Sequence, residues 1–117
     1  MLYMLMCCIN EDRWNSISPS RRDQIMQDYR LLMEQIQRSG HLRGGGMLSP
    51  STTATSIRLQ NGKPMITDGP FAETKEQLGG YHLIECANLD EAISIAKRIP
   101  TIPEGGVIEI RAIEFAE

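Results

Sequence analysis

The apolar positions of this chain fall into runs whose period predicts the elements. Leu2-Tyr-Met-Leu-Met-Cys-Cys-Ile9 is apolar throughout. It is too short for a buried helix and suits a strand covered on both faces. Residues 10–17 are mostly polar and read as a loop carrying Trp14. Ser18-Pro19 then opens a helix, with Ser as the cap and Pro at the first helical position. Ile25, Met26, Tyr29, Leu32, Met33 and Ile36 recur along one face of about five turns, and Gly40 closes it. His41 to Leu48, with Gly44-Gly45-Gly46, reads as a short strand with a bulge or a close backbone approach. Thr55, Ile57 and Leu59 alternate with Ser56, Arg58 and Gln60 as a strand. Asn61-Gly62 is a strong hairpin signal, and Lys63 to Thr67 returns as its partner, with Pro64 confining it to an edge or a strand start.

Asp68-Gly69-Pro70-Phe71 reads as a turn. Ala72 to Leu78 suits one or two helical turns before Gly79-Gly80. Tyr81 to Ala87 reads as a strand, with His82, Ile84 and Cys86 on one face and Tyr81, Leu83 and Glu85 on the other. Asn88 with Glu91 three residues on predicts a capped helix. Leu89, Ala92, Ile93, Ala96 and Ile99 are its buried stripe, and Pro100 and Pro103 stop it. Val107 to Phe115 is the last strand. The order is a ferredoxin-like α+β arrangement, βαββαβ, with an inserted hairpin, in a single domain of residues 1–117. Right-handed crossovers place both long helices on one sheet face. Val107, Glu109, Arg111, Ile113 and Phe115 then line an open face of mixed apolar and charged groups. A symmetric partner covering it predicts a homodimer closing an α+β barrel, with a cavity between the two sheets.

Composition narrows the class. Twelve Lys and Arg stand against 15 Asp and Glu, a net charge of −3, which offers no basic field for nucleic acid. No apolar run approaches the ~20 residues of a membrane span, and the N-terminal run lacks the flanks of a signal peptide. A cytoplasmic protein without a membrane partner is expected. Cys7, Cys8 and Cys86 have no paired or histidine-clustered spacing, which argues against zinc and fits free thiols in a reducing compartment. No metal or cofactor pattern appears. The glycine run at 44–46 lacks the Lys-Ser/Thr of a phosphate loop.

The segment Thr67-Asp-Gly-Pro-Phe-Ala-Glu-Thr-Lys-Glu-Gln-Leu-Gly-Gly-Tyr81 resembles the signature of the YCII-related, or DGPF-domain, family. The match continues in Leu83-Ile-Glu85, Asp90-Glu-Ala92, Ala96-Lys-Arg-Ile-Pro100 and Glu109-Ile-Arg111, and upstream in Gly46-Met-Leu-Ser-Pro50 and Ala54-Thr-Ser-Ile-Arg58. The resemblance implies a dimeric α+β barrel and bacterial cytosolic proteins, mostly without an assigned reaction. It implies that some relatives are enzymes using a His–Asp pair, that one branch acts on chlorinated hydroquinones, and that others are encoded beside extracytoplasmic-function sigma factors. The enzyme-like branch places a histidine on the first long helix; the corresponding stretch Ile25-Met-Gln-Asp-Tyr-Arg30 offers Tyr29.

Asp68 is a candidate acid/base or ligand anchor; the same residue suits a turn that it stabilises through its own backbone. Lys75, beside Glu73 and Glu76, could hold an anion or belong to a solvated cluster. Arg58 and Arg111 could converge to grip a carboxylate or pair with Glu85 or Glu109. Tyr29 lies on the apolar stripe, so it is core, with a hydroxyl that needs a partner, which Asp68 or a ligand could supply. His41 and His82 read as a helix-end and a strand-packing residue. Two functions follow. One is a small-molecule enzyme or binder acting on an aromatic or carboxylated metabolite, with Asp68 and Tyr29 catalytic and Arg58, Lys75 and Arg111 binding. The other is a non-catalytic regulatory protein associated with a sigma factor. Phe71 alternatively plugs apolar space, which would make the loop structural.

Overall fold

A computed structural model describes residues 1–115. Four strands, β1 (Leu2–Ile9), β2 (Leu42–Met47), β5 (Gln77–Glu85) and β6 (Val107–Ala112), form one antiparallel sheet in the order β2-β5-β1-β6. Helices α2 (Pro19–Arg38) and α3 (Leu89–Ala96) pack on one face of it. This is the expected ferredoxin-like α+β order. The inserted hairpin, β3 (Thr55–Gln60) and β4 (Lys63–Asp68), forms a separate two-stranded sheet.

The helix signals act as the sequence predicts. Ser18 Oγ accepts from Arg21 N at 3.3 Å, and Pro19 opens α2. At its end Gly40 takes a left-handed φ of 81°. Its N–H donates to Gln37 O while His41 N–H donates to Ile36 O, which satisfies two otherwise orphaned carbonyls. Ile25, Leu32 and Ile36 are buried, and Leu32 and Ile36 join Leu5, Ile84 and Cys86 from the sheet side and Ala92, Ala96 and Ile99 from the α3 side in one core.

Three expectations are corrected. Residues 11–16 are a short helix, α1 (Glu11–Ser16), not a loop. Asn10 caps it, its side chain accepting from Arg13 N at 3.0 Å. Glu11 and Asp12 in the first turn favour the positive end of its dipole. The segment before Gly79 is not helical, because β5 already begins at Gln77 and runs through both glycines. Gly79 is the extra residue of a bulge, since Cys7 pairs with Gly80 and Cys8 with Leu78. The last strand stops at Ala112, short of Phe115.

The hairpin turns through Asn61 (φ 53°) and Gly62 (φ 77°), both left-handed, as its tight connection requires. Both of its faces meet solvent: Ile57, Leu59 and Ile66 are 69%, 73% and 66% exposed. Among the described residues no helix is long and apolar enough to cross a membrane.

Candidate functional site

Three polar side chains converge in the layer between α2 and the sheet. Tyr29 comes from the apolar stripe of α2, Cys7 from β1 and His82 from β5. Strand alternation turns both Cys7 and His82 to the helix side, and the register Leu5↔His82, Cys7↔Gly80 makes them diagonal neighbours. The Tyr29 hydroxyl hydrogen-bonds His82 Nε2 and lies 3.3 Å from Cys7 Sγ. The Tyr29 and His82 rings are 5.4 Å apart, tilted at 48°.

Chemistry assigns the direction of this chain. A thiol is a weak acceptor, whereas an imidazole nitrogen is a strong one, so Tyr29 O–H donates to Nε2. The Cys7 thiol then donates to the Tyr29 oxygen. Burial lowers the His82 pKa, keeping the ring neutral. Burial also raises the Tyr29 phenol, helped by the Cys7 contact. It raises the Cys7 thiol too, against a smaller opposing effect of the Tyr29 hydrogen bond. All three groups are thus uncharged, and Cys7 is a proton holder, not a thiolate nucleophile.

This chain of bonds lies along the wall of a cavity of about 220 Å³. The cavity lies beside the bulge, and Gly46, Gly79 and Gly80 leave its strand side as bare backbone. A Cβ on Gly80 would stand 3.1 Å from Gly46 O. Ile9, Trp14, Met26, Met47, Leu48 and Pro50 supply apolar walls. Among the described residues no lysine or arginine lines it. Its one carboxylate, Glu11, accepts from Ser51 N at 2.9 Å and from Ser51 Oγ. That clasp ties α1 to the segment after Pro50.

Beside it an open polar groove of about 820 Å³ shares Glu11 and contains Asp68, Glu73 and Lys75. The structure therefore separates the residues singled out in the sequence. Tyr29 lines the apolar cavity, while Asp68 and Lys75 line the groove. Arg58 donates from Nη2 to Phe71 O at 3.3 Å, outside both. Arg111 stands exposed on the face of β6 away from the helices, opposite Met4. Among the described residues none of Arg58, Lys75 and Arg111 forms an ion pair, and no hydrogen bond of the Asp68 carboxylate is found. The Asp68 turn is held by backbone, Gly69 N to Ala54 O at 2.7 Å, and by Ser56 Oγ donating to Gly69 O at 2.7 Å. Phe71 is 83% exposed and plugs no space within this chain.

His82, Cys7 and Glu11 are the site residues that sequence reasoning passed over. The available signal was alternation: it puts a histidine and a cysteine on the same buried face that the Tyr29 hydroxyl must also enter.

Comparison with known proteins agrees with this architecture. Residues 1–116 match the YCII-related domain. An uncharacterized protein of Rhizobium meliloti (strain 1021) is 36% identical over 114 residues, 97% of this chain and 92% of that protein. The solved structure of 5-chloro-2-hydroxyhydroquinone dehydrochlorinase from Burkholderia phenoliruptrix AC1100, in complex with 2,5-dihydroxybenzoquinone, superposes with a TM-score of 0.55 at 13% identity. It covers 99% of this chain and 96% of the other.

Proposed function

The chain belongs to the YCII-related domain family, and from that premise we propose that it binds and transforms a small aromatic metabolite in the cavity beside Tyr29. The observation that carries this reading is the Tyr29–His82 hydrogen bond at the wall of an apolar cavity. A few convergent polar groups in an apolar pocket are the usual form of a small-molecule site. At about 220 Å³ the cavity falls below the ~300–1,000 Å³ of drug-sized sites, so the ligand is small. The neighbouring dehydrochlorinase, which shares the fold, holds a quinone.

In the same reading Asp68 supplies acid–base chemistry from the polar groove, Lys75 hydrogen-bonds a polar substituent that reaches it there, and the cytosol keeps the three thiols reduced. The working unit is a homodimer. A hairpin exposed on both faces is marginal alone, and Ile57, Leu59, Ile66 and Phe71 need a covering surface. A second copy supplies one, and Arg111 then enters a site only across the paired open faces. An extracytoplasmic-function sigma factor as occupant of that arm is the alternative, and co-purification of such a factor in place of a homodimer would favour it.

Thermal-shift titration with monocyclic aromatic metabolites tests the cavity. A stabilising ligand is expected, and Met26→Trp, which fills the cavity from α2, is expected to abolish the shift. A shift that survives Met26→Trp, or no shift across the panel, rejects the reading. Asp68→Asn is expected to lower turnover without loss of stability; unchanged ligand affinity and turnover remove that residue from the site.

A further inference from the structure

The hydrogen-bond inventory of Tyr29 defines what its oxygen can still accept. The phenol has one proton and two lone pairs. Its proton goes to His82 Nε2, and one lone pair takes the Cys7 thiol. One acceptor position remains, beside a cavity with apolar walls. A ligand carbonyl or ether there would face lone pair against lone pair, whereas a hydroxyl would complete the inventory. Charge adds a second restriction. Glu11 supplies the cavity's only carboxyl group among the described residues, and no lysine or arginine lines it, so a carboxylate ligand would be desolvated without a partner.

We infer that the cavity selects an uncharged ligand bearing a hydroxyl donor, which gives its hydrogen bond to the remaining lone pair of the Tyr29 oxygen. The inference rests on the cavity reading of the previous section. No proton is transferred and no bond is broken in this contact: burial keeps His82 neutral, and among the described residues no cation lines the cavity to stabilise a ligand oxyanion. Tyr29 is the residue that touches the ligand. His82 acts through it, taking the phenolic proton's hydrogen bond so that the oxygen is left to accept.

Trp14, the single tryptophan, lines the cavity and reports occupancy by fluorescence. The probes are 4-nitrophenol, 4-nitroanisole and 4-nitrobenzoate, titrated below the pH at which free 4-nitrophenol ionises. The phenol is expected to bind about tenfold more tightly than its methyl ether, the factor that one lost hydrogen bond accounts for, and the benzoate more weakly still. Tyr29→Phe is expected to remove the preference for phenol over ether. Bound 4-nitrophenol is expected to absorb as the neutral phenol, with circular dichroism establishing that Tyr29→Phe folds. Equal binding of phenol and ether, tighter binding of the benzoate, or a phenolate spectrum for the bound probe overturns the hydroxyl selection while leaving the cavity reading in place. Failure of all three probes to quench Trp14 overturns both.

Discussion

Burial couples His82 to folding through its proton. Its folded pKa lies below the ordinary 6.5, so below that pH the unfolded chain binds the proton more readily than the native one. Stability is then full above about pH 6.5 and falls as pH drops toward the lowered value. Thermal midpoints measured from pH 7.5 to 5 should decline less for His82→Gln than for the wild type. An unchanged slope would mean that the ring protonates freely in the native state. Gly45 supports the same ring from behind. Its φ is 147°, and a Cβ there would run into the Tyr81 carbonyl oxygen and stand 2.9 Å from His82 Nδ1. Gly45→Ala should therefore cost roughly 1–3 kcal/mol, measured by urea unfolding, and displace His82 from Tyr29. Tyr29 itself was legible in the sequence as a stripe residue whose hydroxyl wanted a partner. The identity of that partner was not, because alternation gives the buried face of His82 but its place opposite Leu5 depends on the β1–β5 register, which is set between distant segments.

Elements differ in how much of their own specification they carry. The long helix α2 states its start, stripe and stop within its own residues, through Ser18-Pro19, the Ile25-to-Ile36 periodicity and Gly40. The short helix α1 has six residues and one large apolar side chain, Trp14, so periodicity is silent and only the Asn10 cap speaks for it. Gly79-Gly80 looked like an interruption because glycine is costly in a strand. The protein accepts that cost where Gly46 and Met47 approach the backbone of β5. For α3 the cap is testable. Asn88 Oδ1 accepts from Glu91 N at 3.0 Å, while Glu91 Oε1 accepts from Ala87 N at 3.4 Å and contacts His41 Nε2 at 2.9 Å. Asn88→Ala should lower stability by about 1 kcal/mol in chemical denaturation, and an effect near zero would assign the helix start to the Glu91–His41 contact instead.

At the scale of the molecule, the chain is wider than its length requires. Its radius of gyration is 16.0 Å, against about 13 Å for a compact chain of this size, and its extents are 49 × 40 × 18 Å. The β3–β4 hairpin stands as its own sheet, apart from the four-stranded one. Light scattering should give twice the 13.1 kDa chain mass, and Leu59→Asp, at an exposed hairpin position, should return the monomer with the four-stranded sheet intact. A wild-type monomer at micromolar concentration would contradict the pairing. The ferredoxin-like order was legible because each crossover helix announces its neighbouring strands. The cavity's place on the helix side of one chain was not, because a bare sheet face drew attention to the space between two chains.

The Glu11–Ser51 clasp has a kinetic consequence. It ties α1, which brings Trp14 and Asn15 to one side of the cavity, to the segment that brings Leu48, Ser49 and Pro50 to the other. A guest wider than the resting gap must wait for those two hydrogen bonds to open. Glu11→Gln, which weakens a charge-assisted tie to a neutral one, should speed entry and exit together. Stopped-flow quenching of Trp14 should then record faster exchange at nearly constant affinity, making residence time a property of the clasp and equilibrium binding a property of Tyr29.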